Sequence, residues 1–277
     1  MSQTRKQRCG DWVIAIPSYK RAETLRDKTL SLLERYKVPK QRIHIFVANS
    51  SEYETYKSIL KPSSYGHMHI GEPGMAAIRN VITRFFPVGQ AILNMDDDIK
   101  DFLELAPGVE RGQPLTRFCE KINAAFSLAK KTGFRLFGFY PVANAFFMKD
   151  APPTQDLRYV IGSVWGILNP GPILTVTIDD KEDYLRSVIM YLLDGGILRY
   201  TNIAPISAYY KEQGGMQETR TMNRIEASAK AMVAAFPDLV TLNLTKKSGI
   251  PEVRLRDKRE TKVFGEDVLK SYKMPKL

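Results

Sequence analysis

The sequence predicts an α/β fold, a mostly parallel sheet flanked by helices, with a subdomain from the second half of the chain packed against it. Three observations predict it. Apolar runs at 12–16, 42–48 and 91–95 read as strands. The stretches between them carry apolar residues at helical spacing. Each run also ends in a polar cluster. Strand–helix–strand–helix–strand order favours parallel pairing, and ligands of such sheets bind at the carboxyl ends of the strands.

Trp12-Val13-Ile14-Ala15-Ile16 is continuously apolar, the pattern of a strand buried on both faces. Pro17-Ser18-Tyr19-Lys20-Arg21 ends it, with a hydroxyl, a flat ring and a guanidinium suited to a base and a diphosphate. A helix follows over 23–36, with Leu25, Leu32, Leu33 and Tyr36 inward, and Pro39 closes it. The second strand, 42–48, ends at Asn49-Ser50-Ser51, which can cap a helix over 52–60. A short strand at 67–70 and a Gly71–Gly74 turn lead into a helix from Met75, which carries Arg79 and Asn80.

The third run, 91–95, meets three consecutive carboxylates, Asp96, Asp97 and Asp98. Unpaired carboxylates are costly to bury, so a strand end open to a cation or ligand is their natural place. Hard oxygen ligands there suit Mg²⁺ or Mn²⁺ shared with a substrate phosphate. An Asp-rich turn or helix cap fits this stretch equally well.

The second half predicts a helix over 117–131 and an aromatic strand-like segment over 134–148. Its Phe137–Tyr140 stretch suits a core more readily than a platform for an extruded base. A strand over 159–168 carries glycines that let a sugar approach the backbone. Asp179-Asp180-Lys181-Glu182-Asp183 opens a helix running to about 193 and ended by Gly195-Gly196, with its acids at the favourable end. Then come a strand at 197–200, a Gly-containing loop at 209–216 that can close over a ligand, a helix over 220–236, a strand at 240–244 and a short helix at 266–272.

The 277 residues are 44% hydrophobic, enough for a sizeable core. No apolar run approaches the ~20 residues that span a bilayer, and 1–10 reads as a basic arm, with no apolar segment behind 1–8 long enough for a leader. A cytoplasmic protein is the expectation, or one of a bacterial host's cytoplasm if phage-encoded. In that reducing setting Cys9 and Cys119 are not expected to pair. Three histidines, His44, His67 and His69, do not suggest a zinc site. The net charge of +11 favours a polyanionic partner, nucleic acid before membrane.

Ile16–Arg21, Arg79-Asn80, Asp96–Asp98 and Glu182-Asp183, in that order, resemble the signature of nucleotide-sugar glycosyltransferases of the Rossmann-type GT-A fold. Ile16–Leu33, Arg42–Ala48 and Gly74–Asn80 are further similar to the TET/JBP-associated glycosyltransferases, a group linked to base J and to sugar-modified 5-hydroxymethylcytosine in bacteriophage DNA. The resemblance runs from about Trp12 to Arg256. It implies a single GT-A-like domain, with a nucleotide-sugar half (1–110) and an acceptor half (111–277) ending in a basic tail. It implies a UDP-sugar donor and a divalent cation, Mn²⁺ or Mg²⁺, with Asp98 in direct metal contact and Asp96 in the metal shell or nearer the donor sugar. Pro17, Ser18, Tyr19, Arg21, Asn49, Arg79, Asn80, Asp96 and Asp97 would line the donor. Asp183, with Glu182 as its rival, would take the acceptor proton. Many GT-A enzymes add a late histidine to the metal shell; this chain has none beyond His69. The implied acceptor is DNA bearing a hydroxymethylated pyrimidine. Rival readings are transfer to a polysaccharide or lipid, nucleotidyl transfer, and a non-catalytic DNA-binding module.

Overall fold

The computed structural model describes residues 9–109, 111–207, 221–243 and 250–277. The loop at 209–216, Lys246-Lys247 and most of the N-terminal arm lie outside the described residues.

The chain begins with β1 (Trp12–Ser18), α1 (Ala22–Leu25), a π-helical turn (Arg26–Leu30) and α2 (Ser31–Arg35). Next come β2 (Ile43–Val47), α3 (Ser50–Ile59), β3 (His67–Ile70), α4 (Met75–Phe85) and β4 (Ala91–Met95). After β5 (Asp101–Glu104) and β6 (Gln113–Pro114) follow α5 (Phe118–Thr132), β7 (Leu136–Gly138), β8 (Val164–Leu168), α6 (Glu182–Asp194) and β9 (Leu198–Arg199). The last elements are β10 (Ile203–Ile206), α7 (Met222–Ala235), β11 (Val240–Asn243), β12 (Glu252–Leu255) and α8 (Glu266–Ser271). Among the described residues no helix is long and apolar enough to cross a membrane.

Seven strands form the central sheet in the order β3-β2-β1-β4-β8-β7-β9. Only β8 runs against the others. The mostly parallel α/β architecture expected from the sequence is the one observed. Period-two alternation divides the core. Trp12, Ile14 and Ile16 of β1 pack on one face with Leu25, Leu33, Phe118 and Ile122, while Ala15 faces Ile78, Ile82 and Ile189 on the other. Burial on both faces is why β1 reads as an unbroken apolar run. Two smaller sheets, β10-β5-β6 and β11-β12, lie outside the central one.

The second half departs from the sequence in three places. Of 134–148 only Leu136–Gly138 is a strand; Phe137 and Phe139 are core, whereas Phe146 is 85% exposed. Of 159–168 only Val164–Leu168 pairs, and 159–163 leaves the sheet. The α6 helix starts at Glu182, three residues later than Asp179, and ends at Gly195, whose φ of +81° suits glycine.

Cys9 and Cys119 form a disulfide, against expectation. The start of α5 packs on the chain entering β1, and Asn123 Oδ1 accepts from both Gly10 N–H and Trp12 Nε1–H at 2.7 Å. Those bonds hold the cysteines together across 110 residues of sequence.

Candidate active site

The site lies at the carboxyl ends of β1, β2 and β4, as the parallel order requires. A single hub organises the β1 end. The fully buried Tyr56 of α3 places its hydroxyl 2.7 Å from Ser18 Oγ and accepts the Arg21 N–H at 3.0 Å. Ser18 Oγ donates to Asp97 Oδ2 at 2.6 Å, and Arg21 Nη1 lies 3.5 Å from Asp97 Oδ1. Tyr19, half-buried, and buried Pro17 complete the turn. Asn49 caps α3, its side chain accepting the Glu52 N–H at 3.0 Å.

The π-helical turn brings Thr29 to the carboxylate triplet. Its hydroxyl donates to Asp96 O at 2.8 Å and accepts the Ile99 N–H at 3.0 Å, so it brackets the three aspartates. An inserted residue in a helix is a common way to re-aim a side chain at a functional site. Neither Thr29 nor Tyr56 was recognisable beforehand, because each acts on residues far away in sequence.

The three aspartates differ. Asp97 is buried and held by Ser18 and Arg21; burial pushes its carboxyl up to about 6 against those partners. Asp96 is partly exposed and accepts from Arg79 Nη2 at 2.9 Å. Burial, opposed by Arg79 and reinforced by Asp98 and Asp97, pushes it up to about 7. Asp98 is half-buried. Among the described residues no group of three or more His, Cys, Asp or Glu is arranged to hold a metal. A cation of the Mg²⁺ or Mn²⁺ type commonly takes one or two carboxylates and draws its other ligands from substrate phosphate and water, a donor set that Asp96 and Asp98 would match in kind.

Arg79 joins this end to α6. Its Nη2 also donates to Gly162 O at 3.0 Å, and its Nε lies 3.6 Å from Glu182 Oε1. Glu182 Oε2 accepts from Arg186 Nη1 at 2.6 Å, and Arg186, 1% exposed, stacks 3.8 Å from the Trp165 ring. Glu182 therefore departs from its expected role as a rival base. It is a buried counter-ion held between two arginines, the only tolerable state for a charge at that depth. Asn80 departs as well: its amide is engaged at both ends by the backbone of Val176, at 2.8 and 2.9 Å, and secures that segment to α4.

Asp183 is different. It is half-buried in the first turn of α6, where the helix dipole favours its charge. Its Oδ2 accepts from Tyr159 Oη at 2.6 Å and Gly162 N–H at 3.3 Å, and its Oδ1 from Tyr184 N–H at 3.0 Å. Asp179 turns away to cap α4, accepting the Ala76 N–H at 2.8 Å, and pairs with Arg224. A cavity of about 380 Å³ lies beside that pair, lined by Ala76, Thr177, Asp179, Arg224 and Ala227; it contains none of the carboxylate triplet.

No family pattern and no curated protein matches this sequence. Solved structures do match the fold. A mannosyltransferase, PcManGT from Pyrobaculum calidifontis in complex with GDP-Man and Mn²⁺, is similar at a TM-score of 0.50 and 14% identity, over 74% of this chain and 59% of that one. TarS (residues 1–349) from S. aureus is similar at 0.47 and 14%, over 71% and 59%. The galactosyltransferase LgtC, in complex with donor and acceptor sugar analogues, is similar at 0.39 and 12%, over 67% and 72%. The chain spans 59% of the length of the first two. The α/β fold is thus one that a nucleotide-sugar-dependent transferase also uses.

Proposed function

We propose that this protein is a metal-dependent glycosyltransferase of the GT-A class. It would move a hexose from a UDP-sugar to the hydroxymethyl group of 5-hydroxymethylcytosine, or a related hydroxymethylpyrimidine, in DNA. The observation that carries the reading is the link between two carboxylate groups. Asp96 and Asp183 meet through Arg79 and Gly162, one at the end of a central strand and the other at the start of α6. The fold shared with a mannosyltransferase that binds GDP-Man and Mn²⁺ supports the donor class. The motif order supports membership of the TET/JBP-associated group. The +11 charge supports a DNA acceptor.

In this reading 1–110 binds the donor and 111–277 the acceptor. Tyr19 and Arg21 flank the nucleotide, with Asn49 and Arg79 beside it, and Asp96 and Asp98 hold the cation. The cation, when bound, offsets the negative charge that builds on the departing diphosphate. Asp183 takes the proton of the acceptor hydroxyl as its oxygen bonds to the anomeric carbon. The bond from that carbon to UDP breaks, and UDP leaves with the electron pair. Ser18 and Asp97 hold the turn rather than the ligand.

UDP release from a panel of UDP-hexoses with Mn²⁺ tests the reading. Release stimulated by 5-hydroxymethylcytosine DNA and not by unmodified DNA is expected. Release of hexose 1-phosphate in place of UDP would indicate nucleotidyl transfer. Release indifferent to DNA would move the acceptor to a polysaccharide or lipid, and salt-sensitive DNA binding with no release would leave a binding module.

A further inference from the structure

The segment 159–163, expected to be strand, crosses over the start of α6 before entering β8. Each end of it is tied to a different part of the site. Ser163 O accepts the Asp96 N–H at 2.8 Å, and Gly162 O accepts from Arg79. Val160 N–H donates to Ser187 Oγ at 3.1 Å, and Val160 O accepts from Arg186 at 3.3 Å. Gly162 N–H and Tyr159 Oη both donate to Asp183 Oδ2. The segment therefore bonds the Asp183 carboxylate directly, and reaches Asp96 through its backbone N–H and through Arg79.

We infer that this strap is the positioning element of the transfer site, and that the Tyr159 hydroxyl fixes the Asp183 carboxylate in its working orientation. The inference rests on the reading of Asp183 as the base. A carboxylate offers about four lone-pair directions. Tyr159, Gly162 and Tyr184 take three of those on Asp183, two on Oδ2 and one on Oδ1, among the described residues. The remaining direction, on Oδ1, is the one available to an acceptor hydroxyl. Burial and the neighbouring Asp183 hold the Tyr159 phenol well above its ordinary range, so it stays a donor. Its ring stacks on Tyr184, with centroids 4.1 Å apart and planes at 22°, which fixes where the hydroxyl points. Gly162 is required for the same approach. A Cβ there would lie 3.1 Å from Glu182 Oε1 and 3.6 Å from Asp183 Oδ2. The glycine thus admits side chains of α6 rather than a sugar, contrary to the expectation from sequence.

Tyr159→Phe removes the hydroxyl and keeps the stacked ring. The expected result is a kcat about 10–100-fold lower, as for loss of other orienting partners, with the KM for UDP-hexose and the affinity for UDP unchanged. In an Asp183→Asn background the same substitution should cost less than twofold, because its effect passes through Asp183. Gly162→Ala, whose Cβ would meet Glu182 Oε1 at 3.1 Å and press the strap away from α6, should reproduce the kcat-only loss and decides the matter if Tyr159→Phe does not fold. Wild-type kcat in Tyr159→Phe, or an undiminished loss on top of Asp183→Asn, would overturn the inference. A wild-type protein that neither transfers nor hydrolyses any donor would instead refute the glycosyltransferase reading, and this assignment with it.

Discussion

Asp98 and Glu182 show how unlike two acidic residues of one site can be. Asp98 stands half-buried beside a partly exposed Asp96, and two such carboxylates without further side-chain ligands bind a hard cation weakly. Calorimetry should show Mn²⁺ affinity rising sharply when UDP is present, and no such rise in Asp98→Ala, whose transfer should fall by on the order of 10²–10³-fold while its circular dichroism is unchanged. Equal Mn²⁺ affinity with and without UDP would remove the shared-metal arrangement. Glu182 belongs to a buried network instead. Arg186→Met leaves Glu182 with one weaker partner, and removal of one member of a buried pair costs about 3–5 kcal/mol. Urea unfolding should report a loss of that size. The sequence showed an acidic pair at a helix start, but not which member faced inward. That choice is made by Arg79 and Arg186, one of them 103 residues away from Glu182 along the chain and read in the sequence as a donor-lining residue.

Among the elements, β1, β2 and α4 were legible because local pattern decides them: mainly apolar runs, Pro and Gly at the boundaries, a stripe at Ile78 and Ile82. The shortening of β8 was not, because its first five residues are used by α6, and no local pattern records a bond to a distant helix. The β2–β3–α4 face has its own consequence. His44 and His67 stack at 4.4 Å, His44 Nδ1 lies 3.0 Å from His69 Nε2, and Phe85 and Phe86 cover the group. Burial, then the neighbouring His67 and His69, pushes His44 down to about 4. A histidine with a depressed value binds its proton more readily in the unfolded chain, so its contribution is complete above about 6.5 and is lost as pH falls towards 4. Thermal melts should show stability declining through that window, and His44→Phe should flatten the decline; an equal decline in the variant would contradict the assignment.

For the molecule as a whole, the Cys9–Cys119 disulfide closes a long loop. In the chain-entropy model, closing a loop of roughly 100 residues is worth about 4–5 kcal/mol. Composition had argued against the bond on the basis of compartment, whereas the packing of α5 on β1 that forms it is not written in either cysteine's neighbourhood. Alkylation of the native protein purified without reductant should find no free thiol, and two free thiols would contradict the pairing. The charge of +11 acts at the same scale. DNA affinity arising from it should fall as salt rises, as counterion release requires. The proposed reaction is transfer of a sugar to a modified base. Mass spectrometry of nucleosides digested from 5-hydroxymethylcytosine DNA, after incubation with the protein, Mn²⁺ and UDP-hexoses, tests it most directly. A hexose-sized gain on the modified cytosine, absent with Asp183→Asn, is the predicted result; modified cytosine recovered without any gain for every donor would contradict it.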